Sequence, residues 1–444
     1  MSGDWIERAA CVVPSMRQYR WQQLEFYAFA HFGINTFTDR EWGDGTEDPS
    51  LFNPTDFDAD QWVAAVKSAG MRALILTCKH HDGFCLWPSA YTEHSVKNSP
   101  WRGGKGDVVR EVSEACRRGG IRFGVYLSPW DRHEASYGDS DAYNMFYQNQ
   151  LRELARNYGE LFCFWFDGAC GEGANGKRQA YDWPGYYRII REEQPQAVIS
   201  VCGPDVRWCG NEAGLCRESE WSVVPSSLFD NARIAERSQQ ADDGAFGRRL
   251  LETDADLGSR AVIRQAKELI WYPAEVDTSI RKGWFYHADE DDKVRGLNEL
   301  LMIYYGSVGA NAALLLNVPP DRRGRIADPD VRRLRELGEA LRSAFARELK
   351  AVQSAQGEDA VTLTFPEPTV VACAVLQENI LQGQRVEAFD LWADGRRIFQ
   401  GTVIGHKRIC RFRPVTLRRL TLRVTQSRLP AKLLPIRAYG CEAV

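Results

Sequence analysis

The chain has 444 residues, 44% of them hydrophobic and 26% charged, and a formal net charge of −4. That composition excludes an intrinsically disordered chain and gives no bulk attraction to nucleic acid or an anionic membrane. No apolar run reaches the roughly 20 residues that cross a bilayer, and the length suggests one large domain plus a small one.

The first twenty residues carry early acids, and no basic stretch precedes an apolar one. A secretory leader is therefore not expected, and the predicted location is cytoplasmic unless a leader has been removed, in which case the protein is secreted. From about residue 25 to 345, short apolar runs alternate with amphipathic stretches. The runs Tyr27–Gly33, Ala73–Cys78, Ile121–Leu127, Leu161–Phe166, Ala197–Val201 and Ala312–Asn317 read as buried parallel strands. Helices are expected over Asp58–Ser68, Gly106–Arg118, Tyr143–Tyr158, Trp183–Glu193, Leu297–Tyr305 and Asp328–Ala346. Such alternation is α/β. Residues 103–106 are glycine-rich but fit neither nucleotide-binding spacing, whereas polar and aromatic residues follow several strands, which favours a (β/α)8 TIM-like barrel over a doubly wound sheet. The polar stretch Ser226–Arg248 reads as a long loop or short helices. Beyond about residue 348, the runs Val361–Phe365, Val370–Gln377, Arg385–Ala393, Arg397–Val403, Arg408–Phe412, Arg419–Val424 and Arg437–Cys441 suggest a small antiparallel β-sandwich. The expected division is 1–347 for the barrel and 348–444 for the sandwich.

Twelve cysteines are scattered without a CxxC pair, the nearest cluster being Cys202, Cys209 and Cys216. Zinc is not expected, and buried free thiols are the ordinary reading. Fourteen tryptophans are unusual. Sugar sites favour aromatic faces, although tryptophan also fills cores.

In a barrel, the C-terminal strand ends converge on one pocket. Those ends supply His31 with Glu41 and Trp42, then Lys79-His80-His81-Asp82 with Trp87, Tyr126 with Asp131, Asp167-Gly168, and the segment Gly203–Glu212. A later strand is expected to lead into Glu218 and Glu220. Imidazoles and carboxylates suit sugar hydroxyls, and two placed carboxyls suffice for glycoside hydrolysis. Asp167 is the sharpest candidate, because the run Leu161–Phe166 delivers it to the strand mouth; a helix cap or loop acid is the bland alternative. His80 and His81, adjacent on extended chain, should point opposite ways and so ligate one metal poorly, which leaves a metal site with His31 and Asp82 as a lesser reading. Asp289–Asp292 reads as a solvated helix start.

Several of these segments together resemble the α-L-fucosidases of glycoside hydrolase family 29: His31-Phe32-Gly33, Glu41-Trp42, Lys79–Phe84, Trp165-Phe166-Asp167-Gly168, and Leu315–Asp321 with Gly324-Arg325-Ile326. The resemblance spans roughly residues 25–440. It implies a retaining exo-glycosidase acting on a fucosylated oligosaccharide or glycan, with no cofactor and no metal, through a fucosyl-enzyme on Asp167. It implies that His31, Glu41, Trp42, His80, His81 and Tyr126 hold the sugar, and that Trp165 and Trp284 line it near its C6 methyl. The run Arg207–Glu212 resembles the subfamily that cleaves α-1,3/1,4-linked fucose, which implies Glu212 as acid/base, with Glu220 and Glu218 in reserve, and Asp131 and Trp208 against a branched galactose. Retention asks for two carboxyl groups about 5–5.5 Å apart. Competing readings are a barrel glycosidase for another sugar, a lectin-like fucose binder and a metal-dependent hydrolase. A homo-oligomer stays open.

Overall fold

The computed structural model describes residues 4–232, 234, 256–355 and 359–440. Eight strands form the central sheet: β1 Phe26–Ala30, β2 Ala73–Lys79, β3 Arg122–Leu127, β4 Leu161–Phe166, β5 Val198–Val201, β6 Arg207–Trp208, β9 Ala274–Ser279 and β10 Ala313–Asn317. Their order is β5-β4-β3-β2-β1-β10-β9-β6, with every pairing parallel. A parallel bridge from Ser200 to Val206 joins the two ends, so the sheet closes into a TIM-like barrel.

Side chains alternate across this wall as a pleated strand requires. Tyr27, Phe29, Ala73, Ile75, Cys163, Trp165, Ala313 and Leu315 pack together inside the ring. Phe26, Ala28, Leu74, Leu76, Phe164, Phe166, Leu314 and Leu316 join the core beneath the outer helices. The six expected helices form over Ala59–Ser68, Val108–Gly119, Ser140–Asn157, Trp183–Glu193, Leu297–Ser307 and Asp328–Phe345. Asp58, Asp107 and Asp182 cap three of them through backbone N–H groups of the first turn.

The strand–helix alternation breaks between β5 and β6. No helix lies between β5 and β6; five residues make the connection, and Val201 turns with φ 67°. β6 and β9 are barrel strands the sequence did not announce. No strand leads into Glu218 or Glu220, contrary to expectation. The next one is β7 Val223–Pro225, which pairs antiparallel with β8 Leu269–Trp271 away from the barrel. The polar stretch expected over 226–248 lies largely outside the described residues. At Asp289–Asp292 the expected helix start is a single 3-10 turn, Ala288–Glu290, in which Glu290 is buried, and the following Asp291 receives the buried guanidinium of Arg281 at 2.7 Å.

The C-terminal strands are β11 Val352–Ala355, β12 Ala360–Leu376, β13 Val386–Ala393, β14 Arg396–Gly401, β15 Arg408–Ser427 and β16 Arg437–Tyr439. Two pairs of expected short strands are single long ones, β12 and β15. Their register shifts between Thr364 and Thr369 and between Val371 and Cys373, which lets one antiparallel sheet bend around an apolar core that includes Phe365, Val371, Phe389, Leu391 and Leu420.

Candidate active site

At the C-terminal mouth of the barrel, a cleft of about 480 Å³ is lined by Phe29, His31, His80, Trp165, Asp167, Gly168, Val201, Trp208, Glu212, Asp277 and Trp284. The strand pleat explains much of this list. Residues two apart point the same way, so β1 presents Phe29 then His31 and β4 presents Trp165 then Asp167, while on β9 Asp277 reaches the cleft above the fully buried Glu275. β2 needs one adjustment. Its register against β3 slips between Thr77 and Lys79, so Lys79 turns outward and His80 turns in.

Asp167 keeps 21% of its side chain exposed, at the cleft and not on the outer wall. Tyr126, directly opposite Trp165 on the neighbouring strand, donates its hydroxyl to Asp167 Oδ2 at 2.8 Å. The backbone N–H of Ala169 donates to Oδ1 at 2.8 Å. His81 Nε2 lies 3.7 Å from Oδ2. Ser128 Oγ donates to the Trp130 carbonyl and accepts from His81 Nδ1 at 2.7 Å, which places the imidazole proton on Nδ1. Burial pushes the His81 and His31 pKa values down to about 4, and that of His80 well down too. All three imidazoles are therefore neutral at physiological pH. Asn317 donates through Nδ2 to Ser279 Oγ and the Trp284 carbonyl, so its Oδ1 accepts from His31 Nδ1 at 2.8 Å. The Nε2 lone pair of His31 is thereby left toward the cleft. His80 Nδ1 is buried with no hydrogen-bond partner.

The opposite wall is built on β6 and β9. Trp208 donates its indole N–H to Asp277 Oδ1 at 2.8 Å, and Trp165 donates its own to Glu275 Oε1 at 2.6 Å. Tyr27 donates to the other Glu275 oxygen, and burial raises that carboxyl to about 7. Glu212 follows on the loop after Trp208 and lines the cleft. A buried ionic cluster underpins the loop. Glu220 Oε1 accepts from Arg207 at 2.5 Å and Oε2 from the Arg217 backbone N–H at 3.2 Å. Burial opposes its charge, but the guanidinium groups of Arg207 and Arg217 hold Glu220 below the usual carboxylate range. Asn311 donates to the Glu220 carbonyl at 2.7 Å and accepts from the His406 N–H at 2.6 Å. Thr402 and Arg408 donate to the Glu218 carbonyl at 2.8 and 3.1 Å. The C-terminal sheet thus grips the stem of the Glu212 loop from behind.

Of the residues singled out from sequence, His31, His80, Trp165, Asp167, Trp208, Glu212 and Trp284 line the cleft. His81 and Tyr126 stand behind Asp167, and Trp42 packs edge-on against His81 with ring centroids 5.5 Å apart. Glu41 is not at the cleft wall. Its oxygens accept from the backbone N–H groups of Trp284 and Phe285 at 2.7 and 3.0 Å, and His287 Nε2 lies 2.8 Å from Oε1. Glu41 therefore holds the Trp284 turn, and a Cβ on Gly283 would lie 2.4 Å from its carboxylate. Asp131 is buried behind the site and paired with Lys79 at 2.8 Å, so it is not placed to meet a galactose. Glu220 is sealed in its ion pairs and Glu218 is exposed outside the cleft, so neither fits the reserve acid role. The rings of His80 and His81 do not diverge: the chain bends after Lys79, and their centroids lie 4.1 Å apart. Among the described residues, no group of three histidine, cysteine or acidic side chains is arranged to hold a metal, and the eleven described cysteines are free thiols. Asp277 and Glu275 were missed. The alternation Glu275, Asp277, Ser279 was legible, but charged residues on the inward face disguise a barrel strand.

The α-L-fucosidase family model matches residues 2–344. Alpha-L-fucosidase 1 of Arabidopsis thaliana is 40% identical over 441 residues, covering 90% of this chain and 82% of the plant protein. Among solved structures, a glycoside hydrolase 29 family member from an unknown rumen bacterium superposes with a TM-score of 0.85 at 40% identity, covering 98% of this chain and 78% of that one. The Ruminococcus gnavus GH29 fucosidase in complex with fucose gives 0.81 at 30% identity, covering 97% and 95%. With such a match over most of its length, on a barrel whose mouth gathers carboxylates, neutral imidazoles and indoles, the chain belongs to the α-L-fucosidases of glycoside hydrolase family 29.

Proposed function

We propose that this glycoside hydrolase is a retaining exo-α-L-fucosidase that releases terminal fucose, preferring α-1,3/1,4 linkages, by double displacement through a fucosyl-enzyme. The observation that carries the reading is the placement of Asp167 and Glu212 on one cleft at the barrel mouth. Asp167, oriented by Tyr126 and Ala169, attacks the anomeric carbon while Glu212 gives a proton to the departing oxygen. Water then enters at the anomeric carbon, Glu212 takes its proton, and the bond to Asp167 breaks. The neutral His31 and His80 exchange hydrogen bonds with the sugar hydroxyls without adding positive charge beside the developing oxocarbenium ion. Phe29, Trp165 and Trp284 give the apolar surface that a 6-deoxy sugar presents its methyl to. The structural relative from Ruminococcus gnavus holds fucose, which supports that sugar over galactose. The linkage preference is supported by the Trp208–Glu212 run.

The test is a panel of α-1,2-, α-1,3-, α-1,4- and α-1,6-fucosylated oligosaccharides followed by proton NMR from the first turnovers. The expected result is α-fucose as first product, fastest from the α-1,3 and α-1,4 members. β-Fucose appearing first would overturn retention, and equal rates across the panel would overturn the linkage preference.

A further inference from the structure

Ser128 stands behind the nucleophile, and the mechanism above does not use it. It is fully buried and directly follows β3. Its turn is held in place. The hydroxyls of Tyr147 and Tyr143 donate to the Leu127 and Pro129 carbonyls at 2.7 Å each, and the Ser128 N–H donates to the Lys79 carbonyl at 2.9 Å. The Ser128 hydroxyl has a single proton. The Trp130 carbonyl, which can only accept, lies 2.6 Å away and receives it. Toward His81 Nδ1, at 2.7 Å, the hydroxyl is therefore an acceptor. A neutral imidazole carries one proton, so with Nδ1 protonated its Nε2 has a lone pair. That nitrogen lies 3.7 Å from Asp167 Oδ2, beyond hydrogen-bond distance. Oδ2 accepts from Tyr126 at 2.8 Å, and Oδ1 from the Ala169 N–H at 2.8 Å. The remaining neighbours of the imidazole are rings: Trp42, Trp130 and His80, with centroids 5.5, 5.0 and 4.1 Å away. Burial, with the Arg132 charge in support, outweighs the pull of Asp167 and keeps the ring from taking a second proton. The opposite tautomer would donate from Nε2 to a carboxylate, a charged acceptor. It is the form the ring would take if Nδ1 had no partner.

We propose that Ser128 is a positioning residue that acts through His81: by holding the imidazole proton on Nδ1, it denies Asp167 a further hydrogen bond and keeps that carboxylate nucleophilic. This rests on the reading of Asp167 as the nucleophile. The two half-reactions respond differently. In the first, Asp167 gives an electron pair to the anomeric carbon as the leaving group departs with the bonding pair, and each donor on the carboxylate holds that pair back. In the second, the oxygen of water bonds to the anomeric carbon, its proton goes to Glu212, and Asp167 departs with its pair. A donor on the departing carboxylate assists that step. A donating His81 would therefore slow formation of the fucosyl-enzyme and not its breakdown.

The experiment times the two steps separately with a 2-deoxy-2-fluoro-fucosyl fluoride, which leaves its sugar on a retaining enzyme long enough for mass spectrometry. In Ser128→Ala the adduct is expected to form about 10–100-fold more slowly than in wild type, and to break down no more slowly. A merely displaced Asp167 would slow both steps. Equal slowing of the two, or an unchanged rate of formation, overturns the proposal. The tautomer is read directly from nitrogen NMR of the histidine rings, with His81→Gln assigning the signal. Wild type is expected to carry its proton on Nδ1 and Ser128→Ala on Nε2. A wild-type proton on Nε2 overturns the proposal, and so does a proton that stays on Nδ1 in Ser128→Ala. Should Ser128→Ala not fold, the wild-type spectrum decides by the same criterion. If wild type forms no adduct on Asp167, the nucleophile assignment fails and the role of Ser128 with it. If the adduct forms on Asp167 while Ser128→Ala behaves as wild type, only the role of Ser128 fails.

Discussion

On the side of the cleft that carries Asp167, the contacts join residues at the end of one strand or of adjacent strands: Ala169 to Asp167 after β4, Tyr126 to Asp167 and Ser128 to His81 between neighbours. On the side that carries Glu212, Arg207 reaches Glu220 from nearby in the chain, but the other supports come from much later in it: Asn311 to Glu220, Thr402 and Arg408 to Glu218. The first wall is positioned by the strand pleat. The second stands on a two-residue strand next to a connection without a helix, and buried charge and the C-terminal sheet compensate for what the pleat does not supply. A nucleophile has to be fixed in direction, whereas an acid/base has to be fixed in protonation, and the two walls are built accordingly.

The sharpest way to break the first wall is Asp167→Asn. Turnover of any fucoside is expected to fall by about 10⁴-fold or more, as when a covalent nucleophile is removed, while fucose still binds by calorimetry. The second wall breaks through Glu220→Ala, which takes from the buried Arg207 guanidinium the carboxylate it pairs with. The expected cost is about 3–5 kcal/mol of stability, read from the urea midpoint, with Asp167→Asn unaffected in the same assay. Glu41→Gln tests the part between them. Weakening its hold on the Trp284 turn, at about 1.5–3 kcal/mol for a charged hydrogen bond, should raise KM roughly tenfold or more and leave kcat nearly unchanged. The smallest effect concerns His287. Hydrogen bonding to Glu41 first, then to Asp39, raises its pKa from 6.5 to about 9. A folded pKa above the unfolded one contributes stability that is complete below pH 6.5 and lost as pH rises through about 9. The melting temperature of wild type should therefore exceed that of His287→Gln at pH 6, and the gap should close above about pH 10.

The first wall was also the readable one. β1 to β4 are apolar runs that end in the residue carrying the chemistry, so Asp167, His31, His80 and Tyr126 could be picked from the strand ends. β9 was not readable, because its inward face holds Glu275 and Asp277 where a barrel strand ordinarily has aliphatics, and β6 is too short to leave a pattern. Glu41 and Asp131 were found as residues, but not the partners that hold them. Sequence shows that a carboxylate stands near a strand mouth, but not that its oxygens are already taken by the Trp284 backbone or by Lys79. The bulge at Lys79 likewise reverses the alternation that made His80 and His81 seem to diverge. Glu220 was weighed as an acid, though its neighbours Arg207 and Arg217 were visible a few positions away.

Synthesis runs from the N-terminus, and the two walls reach completion at different times. Once residue 201 has emerged, the strands behind Asp167 are all present and can pair. The loop bearing Glu212 emerges soon afterward, yet the groups that clamp its stem, from Asn311 to Arg408, follow as many as 190 residues later. A growing chain thus assembles its half-site for covalent attack well before it can hold the proton donor in place. Shortened forms ending near residue 350 would inherit that unfinished state permanently.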